Sequence, residues 1–179
     1  VPASTIVTAA PTAIFPMTLK DRTREKWRMS GDWSPIDPLS LQFSLENGVD
    51  HYTTPGLKGV DHTGMVLYSI DAAWTVSDKW KLTGYWSYGE QRLEVQQGNG
   101  GYDATPKNFT STFGLGVKGQ PSGRLTVGAD LIYLSDITKY NVNAASGANA
   151  NNTAQAAIGL PDLKYTQLTL KAFGSYALD

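Results

Sequence analysis

Apolar and polar side chains alternate with a period of two along most of this chain, which is typical of β-strands with one apolar face. Trp27, Met29 and Trp33 alternate with Arg28 and Asp32. The same alternation recurs in six further segments, which begin near residues 39, 66, 80, 109, 125 and 168. The pattern predicts an all-β fold of seven strands, each roughly 10 to 14 residues long and therefore longer than most strands of globular proteins. No segment predicts a helix.

The connections between these segments are alternately short and long. The short ones, at 34–38, 77–79 and 120–123, contain Pro, Asp, Ser and Gly, which favour tight turns. The long, polar ones span 52–61, 96–108 and 136–162. The Asn- and Ala-rich part of the last, 141–157, is too simple in composition to form a core of its own. We therefore expect an antiparallel up-and-down meander with short turns at one end and long loops at the other.

Two environments would bury the apolar face: the interior of a soluble β-sandwich, or the lipid around a transmembrane β-barrel. The strand length favours the barrel, because a tilted strand of this length crosses the hydrocarbon layer. Aromatic residues near the predicted strand ends favour it too, because Trp and Tyr concentrate at membrane interfaces. Tyr52 lies near a long-loop end, and the predicted interface belt comprises Trp27, Trp33, Trp74, Trp80, Trp86, Tyr88, Tyr133 and Tyr176.

Composition excludes several other classes of protein. The 179 residues include no Cys, so disulfides and thiolate metal sites are excluded. A net charge of −1 argues against nucleic-acid binding. No apolar run is long enough for a membrane-spanning helix, and residues 1–16 carry no charge and so lack the basic region of a signal peptide.

An open sheet of seven strands leaves two unpaired edges, which lipid cannot satisfy. We therefore expect this chain to be a segment of a larger transmembrane barrel, completed by strands of the same or other chains. In this interpretation residues 1–22 are the remnant of an outer loop, and residues 23–179 form about seven transmembrane strands of the incomplete barrel.

The polar positions of the strands carry both signs of charge. In a barrel they would line the lumen, where they could contact a protein inside it or form a merely hydrated wall. Because the charges are mixed, they suit a polar protein partner better than a selective anion pore. These candidate contacts are Lys26, Arg28, Asp32, Glu46, Asp71, Lys81, Lys118, Asp130 and Lys171.

No other group of residues predicts a site. His51 and His62 flank one loop but lack an accompanying ligand cluster, and the glycines of 98–101 are not followed by the Lys and helix of a phosphate-binding loop. The acidic loop residues Asp103, Asp136 and Asp162 do not form a calcium-binding pattern. No nucleophile and base stand out as a pair. We expect no catalysis and no directly bound metal or cofactor.

Several strand motifs resemble those of the MtrB/PioB family of outer-membrane barrels that associate with decahaem cytochromes, in the C-terminal half of that family. They are DRTREKWRMSGDWSP at 21–35, LSLQF at 39–43, YSIDAAW at 68–74 and SDKWKLTGY at 77–85. The resemblance is strongest over residues 20–95, and the rest of the chain resembles the family only in the general character of its strands. A Cys-containing N-terminal motif of some members is absent.

The resemblance implies a porin-like sheath in a Gram-negative outer membrane. The sheath would hold and insulate a periplasmic multihaem cytochrome, and an extracellular multihaem cytochrome could dock outside. Haem would then belong to the partners and not to this chain. The alternatives are a general porin with a water-filled lumen and a soluble β-sandwich binding module.

Overall fold

The computed structural model describes residues 21–53, 59–96, 102–144 and 147–177. They form seven strands and one helix. These are β1 (Arg22–Ile36), β2 (Leu39–Tyr52), β3 (Gly59–Ser77), β4 (Trp80–Gln96), β5 (Tyr102–Ser122), β6 (Leu125–Ala144), α1 (Ala150–Ile158) and β7 (Leu163–Tyr176). Residues 1–20, most of the predicted outer-loop remnant, lie outside the described part, and so do the glycines of 98–101.

The strands form one antiparallel sheet in the order β1-β2-β3-β4-β5-β6-β7. This confirms the up-and-down meander. Each two-residue turn is accompanied by a register shift in the ladder beside it, between Trp33 and Ile36, Thr75 and Ser77, and Gly119 and Ser122. Within the described residues, the outer edges of β1 and β7 pair with no other strand.

The strands are longer than the hydrophobic alternation predicts, reaching 21 residues in β5 and 20 in β6. The added residues are polar, as where Thr105 faces Asn141 and Lys107 faces Lys139. Backbone hydrogen bonds do not need apolar side chains, so the ladder continues beyond the apolar part of each strand. The predicted long connections are correspondingly shorter.

The helix α1 contradicts the prediction that no helix forms. It begins after Asn149, whose side chain accepts a hydrogen bond from the Asn152 N–H at 2.9 Å, and it ends at Gly159, which has φ of 72°. The side-chain cap and the helix propensity of alanine stabilise it locally. None of its residues is buried, in keeping with a composition that cannot form a core. No helix among the described residues has the length and apolarity needed to cross a membrane.

The apolar face of the sheet has no second layer over it in the described part of the chain. Among all the described residues, the buried hydrophobic ones are Tyr52 and Val60, whereas Leu168 and Leu170 on the apolar face are 69% and 75% exposed. A soluble β-sandwich would bury these side chains in a core of its own. The fold is therefore that of a barrel segment and not that of a sandwich.

Candidate functional site

All nine charged residues singled out from the sequence lie on one face of the sheet, opposite the apolar face. Directly opposed residues of an antiparallel pair project from the same side, as do residues two apart along a strand. The register aligns Arg28 with Glu46 and Asp130 with Lys171, for example. This polar face carries Lys26, Arg28, Asp32, Glu46, Asp71, Lys81, Lys118, Asp130 and Lys171.

Glu46 is the centre of an ion-pair cluster that joins β1 to β2. Its Oε1 lies 2.5 Å from Lys26 Nζ, and its Oε2 accepts hydrogen bonds from Arg28, one of them from Nε at 2.6 Å. Glu46 is only 4% exposed. The cluster therefore neutralises three of the nine predicted contact residues within the wall itself.

A second cluster, around Asp50, lies four residues further along β2 and was not predicted from the sequence. Arg24 donates from Nε to Asp50 Oδ1 at 2.6 Å and from Nη2 to Oδ2 at 2.8 Å. Arg22 lies 3.6 Å from the same carboxylate, and Thr63 donates to it at 3.3 Å. The period-two pattern could have found this cluster, because Arg24 and Asp50 continue the polar face beyond Lys26 and Glu46.

Hydroxyl side chains form a row across the middle of the polar face. Each residue of the row is directly opposed to the next one on the neighbouring strand, and Ser44 and Ser69 lie 2.7 Å apart, Oγ to Oγ. Because serine and threonine side chains are short, this part of the face is polar but projects only a short distance from the sheet. The hydroxyl row comprises Ser30, Ser44, Ser69, Ser87 and Thr112.

A third polar cluster links β5 and β6 on the loop side of the hydroxyl row. Asn108 donates to Asp136 Oδ1 at 2.8 Å and to Thr138 Oγ1 at 3.0 Å, and Thr110 donates to Asp136 Oδ2 at 2.7 Å. Asp136 was predicted to lie in an outer loop. It lies instead within β6, because that strand is longer than its apolar pattern indicates.

Six charged residues of the polar face lie on the turn side of the hydroxyl row. Among the described residues, none of these six side chains forms an ion pair, even though Asp130 faces Lys171, and Lys81 faces a like charge in Lys118. They remain available to another molecule. The unpaired turn-side charges are Asp32, Asp71, Lys81, Lys118, Asp130 and Lys171.

The predicted belt residues lie on the opposite, apolar face, but not all at its margins. Trp80 lies beside a short turn, and Tyr88 lies toward the loop end, where its ring centroid is 6.3 Å from that of Tyr68. Trp86 and Tyr133 lie one row nearer the middle of the sheet, both opposed to Phe113. Tyr52 was wrongly expected among the interface aromatics, because the register places it opposite Arg22 on the polar face, where it is 9% exposed.

His51 and His62 face each other across β2 and β3, with ring centroids 6.2 Å apart. His62 contacts Asp61 through Nδ1 at 3.4 Å and Glu94 through Nε2 at 3.1 Å. Ligand atoms of Asp61, His62 and Glu94 lie within 4.8 Å of one another, as in a metal site. However, the two carboxylates contact different ring nitrogens, which cannot both bind one ion, and Arg92 already neutralises Glu94. We interpret the group as a hydrogen-bonded cluster at the loop end.

Comparison with protein families decides the class of this sheet. Residues 4–179 match the family described as "Putative outer membrane beta-barrel porin, MtrB/PioB". The chain belongs to the MtrB/PioB family. A search of curated proteins found no match. Membership of a family of membrane barrels accounts for the exposed apolar face, because that face meets lipid in a barrel wall.

The length of the uncharged, lipid-facing part of the strands agrees with membership of a family of membrane barrels. Along β4 the lipid-facing positions from Trp80 to Tyr88 carry no charge, and Glu90 is the first charged one. The eight residue-to-residue steps from Trp80 to Tyr88, in a strand tilted by roughly 40°, span about 20 Å across the membrane, close to the apolar band of roughly 25 Å in outer-membrane barrels. The membrane-spanning part of each strand therefore ends near the level of Tyr88.

Proposed function

We propose that this chain forms part of the wall of an outer-membrane barrel that encloses and insulates a multihaem cytochrome for electron transfer across the membrane. The wall itself is proposed to be non-catalytic and to bind no haem. The electrons would pass along the haems of a periplasmic cytochrome inside the lumen, with an extracellular multihaem cytochrome as a further partner. Resemblance to the MtrB/PioB family suggests this role, and the polar face supports it.

The observation that carries the proposal is how short the side chains in the middle of the polar face are, because their length sets how far the wall projects into the lumen. Hydroxyl side chains form its central row, and glycines at 114, 116 and 128 lie further toward the turns. A barrel that surrounds a folded protein must be wider than the channels of 16 to 18 strands that hold only water. Low, hydrated side chains reduce the space that the wall takes from such a lumen.

The distribution of charge suggests where a partner would be held. Barrels of this type have short turns on the periplasmic side. The unpaired turn-side charges lie at that end, whereas the loop-side carboxylates Glu46 and Asp50 are already paired within the wall. Interfacial charges steer association and set register when they are free to meet complementary groups. A periplasmic cytochrome would meet these charges first.

The test reverses the charge of two directly opposed lysines on the polar face. The protein is purified in detergent from membranes that also contain its multihaem partner, and the co-purifying chains are stained for haem. We expect haem in the wild-type complex, and a severalfold loss in the double variant Lys81→Glu, Lys118→Glu. The matched control is Lys107→Glu, Lys139→Glu, because these lysines are also directly opposed but lie on the other face.

The open-porin alternative predicts a different result. A general porin would purify without haem and would conduct small ions in planar bilayers whether or not a cytochrome is present. A sheath should instead lose conductance when its cytochrome is added. A haem-free complex, or equal haem recovery from both double variants, would contradict the proposed contacts.

A further inference from the structure

Three basic residues form a row on the lipid-facing side of the sheet, at its loop end. Arg92 of β4 is directly opposed to Lys107 of β5, and Lys107 is directly opposed to Lys139 of β6. Lys164 of β7 lies one row nearer the membrane, opposite Ile137. We call Arg92, Lys107 and Lys139 the basic row. It is confined to the β4–β6 part of the sheet, because Val49 and Gly64 continue the same row on β2 and β3.

The basic row lies two rows beyond Tyr88, where the uncharged lipid-facing positions of β4 end, and Glu90 and Lys164 lie in the row between them. The lipid-facing row below it contains Phe109 and Ile137, and the next contains Tyr88. Lys139 Nζ lies 5.8 Å from the centroid of the Phe109 ring. The ammonium group therefore lies over a lipid-facing ring at the edge of the apolar surface, and the flexible lysine stem allows such a group to reach the lipid headgroups.

The charges of this row are only partly compensated by the protein. Arg92 pairs with Glu94, and Glu90 lies one row below, opposite Phe109. Among the described residues, neither Lys107 nor Lys139 forms an ion pair. Like charges directly opposed in a sheet destabilise it. An anion between the two lysines would relieve that repulsion.

We propose that the basic row binds the phosphate groups of lipid headgroups in the leaflet on the loop side of the membrane. In an outer-membrane barrel the longer loops are extracellular, so this is the outer leaflet. The chemistry that fits is a phosphorylated lipid whose acyl chains lie against the apolar face while its phosphate meets Lys107 and Lys139. The inference rests on the contact of the apolar face with lipid and not on an enclosed cytochrome.

The test measures binding of lipid A, a phosphorylated glycolipid, to the full-length protein in nanodiscs of phosphatidylcholine. The variant is Lys107→Gln, Lys139→Gln, and the matched control is Lys81→Gln, Lys118→Gln on the polar face. Each basic residue near a charged membrane surface changes the affinity by about fivefold. We expect about 25-fold weaker binding in the variant and an unchanged affinity in the control. Wild-type affinity in the variant, or an equal loss in the control, would overturn the proposal.

Two further arms separate lipid from free anion and binding from misfolding. Inorganic phosphate alone should not displace lipid A; full displacement by it would mean that the row binds a free anion and would overturn the lipid assignment. The heat-induced shift in gel mobility reports whether the barrel is folded. The single variant Lys139→Gln should fold and should lose about fivefold in affinity. Haem recovery should not change in either lysine-to-glutamine variant of the basic row, which keeps this test independent of the proposed sheath.

Discussion

Glycines on the polar face determine how closely aromatic rings approach the sheet. The Tyr85 ring lies directly over Gly114, where an added Cβ would overlap it, and the Phe173 ring covers Gly128 in the same way. A glycine in a strand weakens it through conformational entropy and is retained where another group approaches closely. These rings lie flat against the wall because of the glycines beneath them.

Substitution of one such glycine should both destabilise the sheet and raise the ring into the lumen. Gly114→Ala should lower the free energy of unfolding by about 1–3 kcal/mol, because overpacking forces side chains out of their positions. The measurement is a urea titration of the protein in detergent. Gly31→Ala is the control, because no atom lies within 4 Å of its added Cβ. Rescue is expected from Tyr85→Ser in the Gly114→Ala background, and a Gly114→Ala protein as stable as wild type would contradict the overlap.

At the scale of elements, β1 is joined to β2 by side chains as well as by the ladder. Asp50 lies five residues beyond Leu45, the β2 residue at the level of Tyr88, and is therefore outside the membrane-spanning part of the strand. Hydrogen bonds from the Arg24 guanidinium, together with its charge, lower the pKa of the Asp50 carboxyl group below its ordinary value. The charged form of Asp50 therefore stabilises the pairing of β1 with β2.

The sign of this shift predicts a dependence on acid. Because the pKa is lower in the folded state, the stabilisation is complete above the ordinary aspartate pKa of about 3.9 and is lost as the pH falls through the lower, folded value. Amide hydrogen exchange in the loop-side part of β1 should therefore be constant near neutral pH, relative to the intrinsic rate, and should accelerate below about pH 4. In Asp50→Asn the exchange should be faster near neutral pH, should accelerate less in acid, and should approach the wild-type exchange below the folded pKa, where Asp50 itself is uncharged. Acid acceleration as large as in the wild type would assign the effect to other carboxylates.

At the scale of the whole molecule, the two faces of the sheet are suited to different environments, one apolar and one aqueous. All five tryptophans, at positions 27, 33, 74, 80 and 86, lie on the apolar face. The polar face carries the nine predicted contact charges, the hydroxyl row and Tyr85. Barrel membership assigns lipid to the first face and the lumen to the second.

Fluorescence quenching can measure this assignment directly. In a variant of the full protein that retains Trp86 alone, brominated phosphatidylcholine should quench strongly and aqueous iodide weakly, because lipid surrounds the indole. In a matched variant with Tyr85→Trp as the single tryptophan, the order should be reversed. Iodide quenching that is stronger for Trp86 than for the residue-85 indole would mean that water contacts the apolar face, which would contradict the assignment.

Particular residues show how far the sequence predicts this protein. The alternation around Trp27 to Trp33 predicts the strand and its faces correctly. The pairing of Arg28 with Glu46 also depends on the bulge between Trp33 and Ile36, because the register of Ile36 with Leu39 would by itself place Arg28 opposite Asn47. Asp136 was assigned to a loop and lies in β6, since the apolar pattern ends before the backbone ladder does. The helix α1 was missed because its stability is local and needs no apolar stripe.

The sequence by itself determined the period of two, the seven strands, the short turns and the separation of polar from apolar faces. These features depend on neighbours along the chain and on the two-residue repeat of the strand. Only the tertiary structure decided which side chains meet across strands. The hydroxyl row, the buried carboxylates of Glu46 and Asp50, the basic row, and the contrast between paired and unpaired charges all depend on register, and register brings together residues that are distant in sequence.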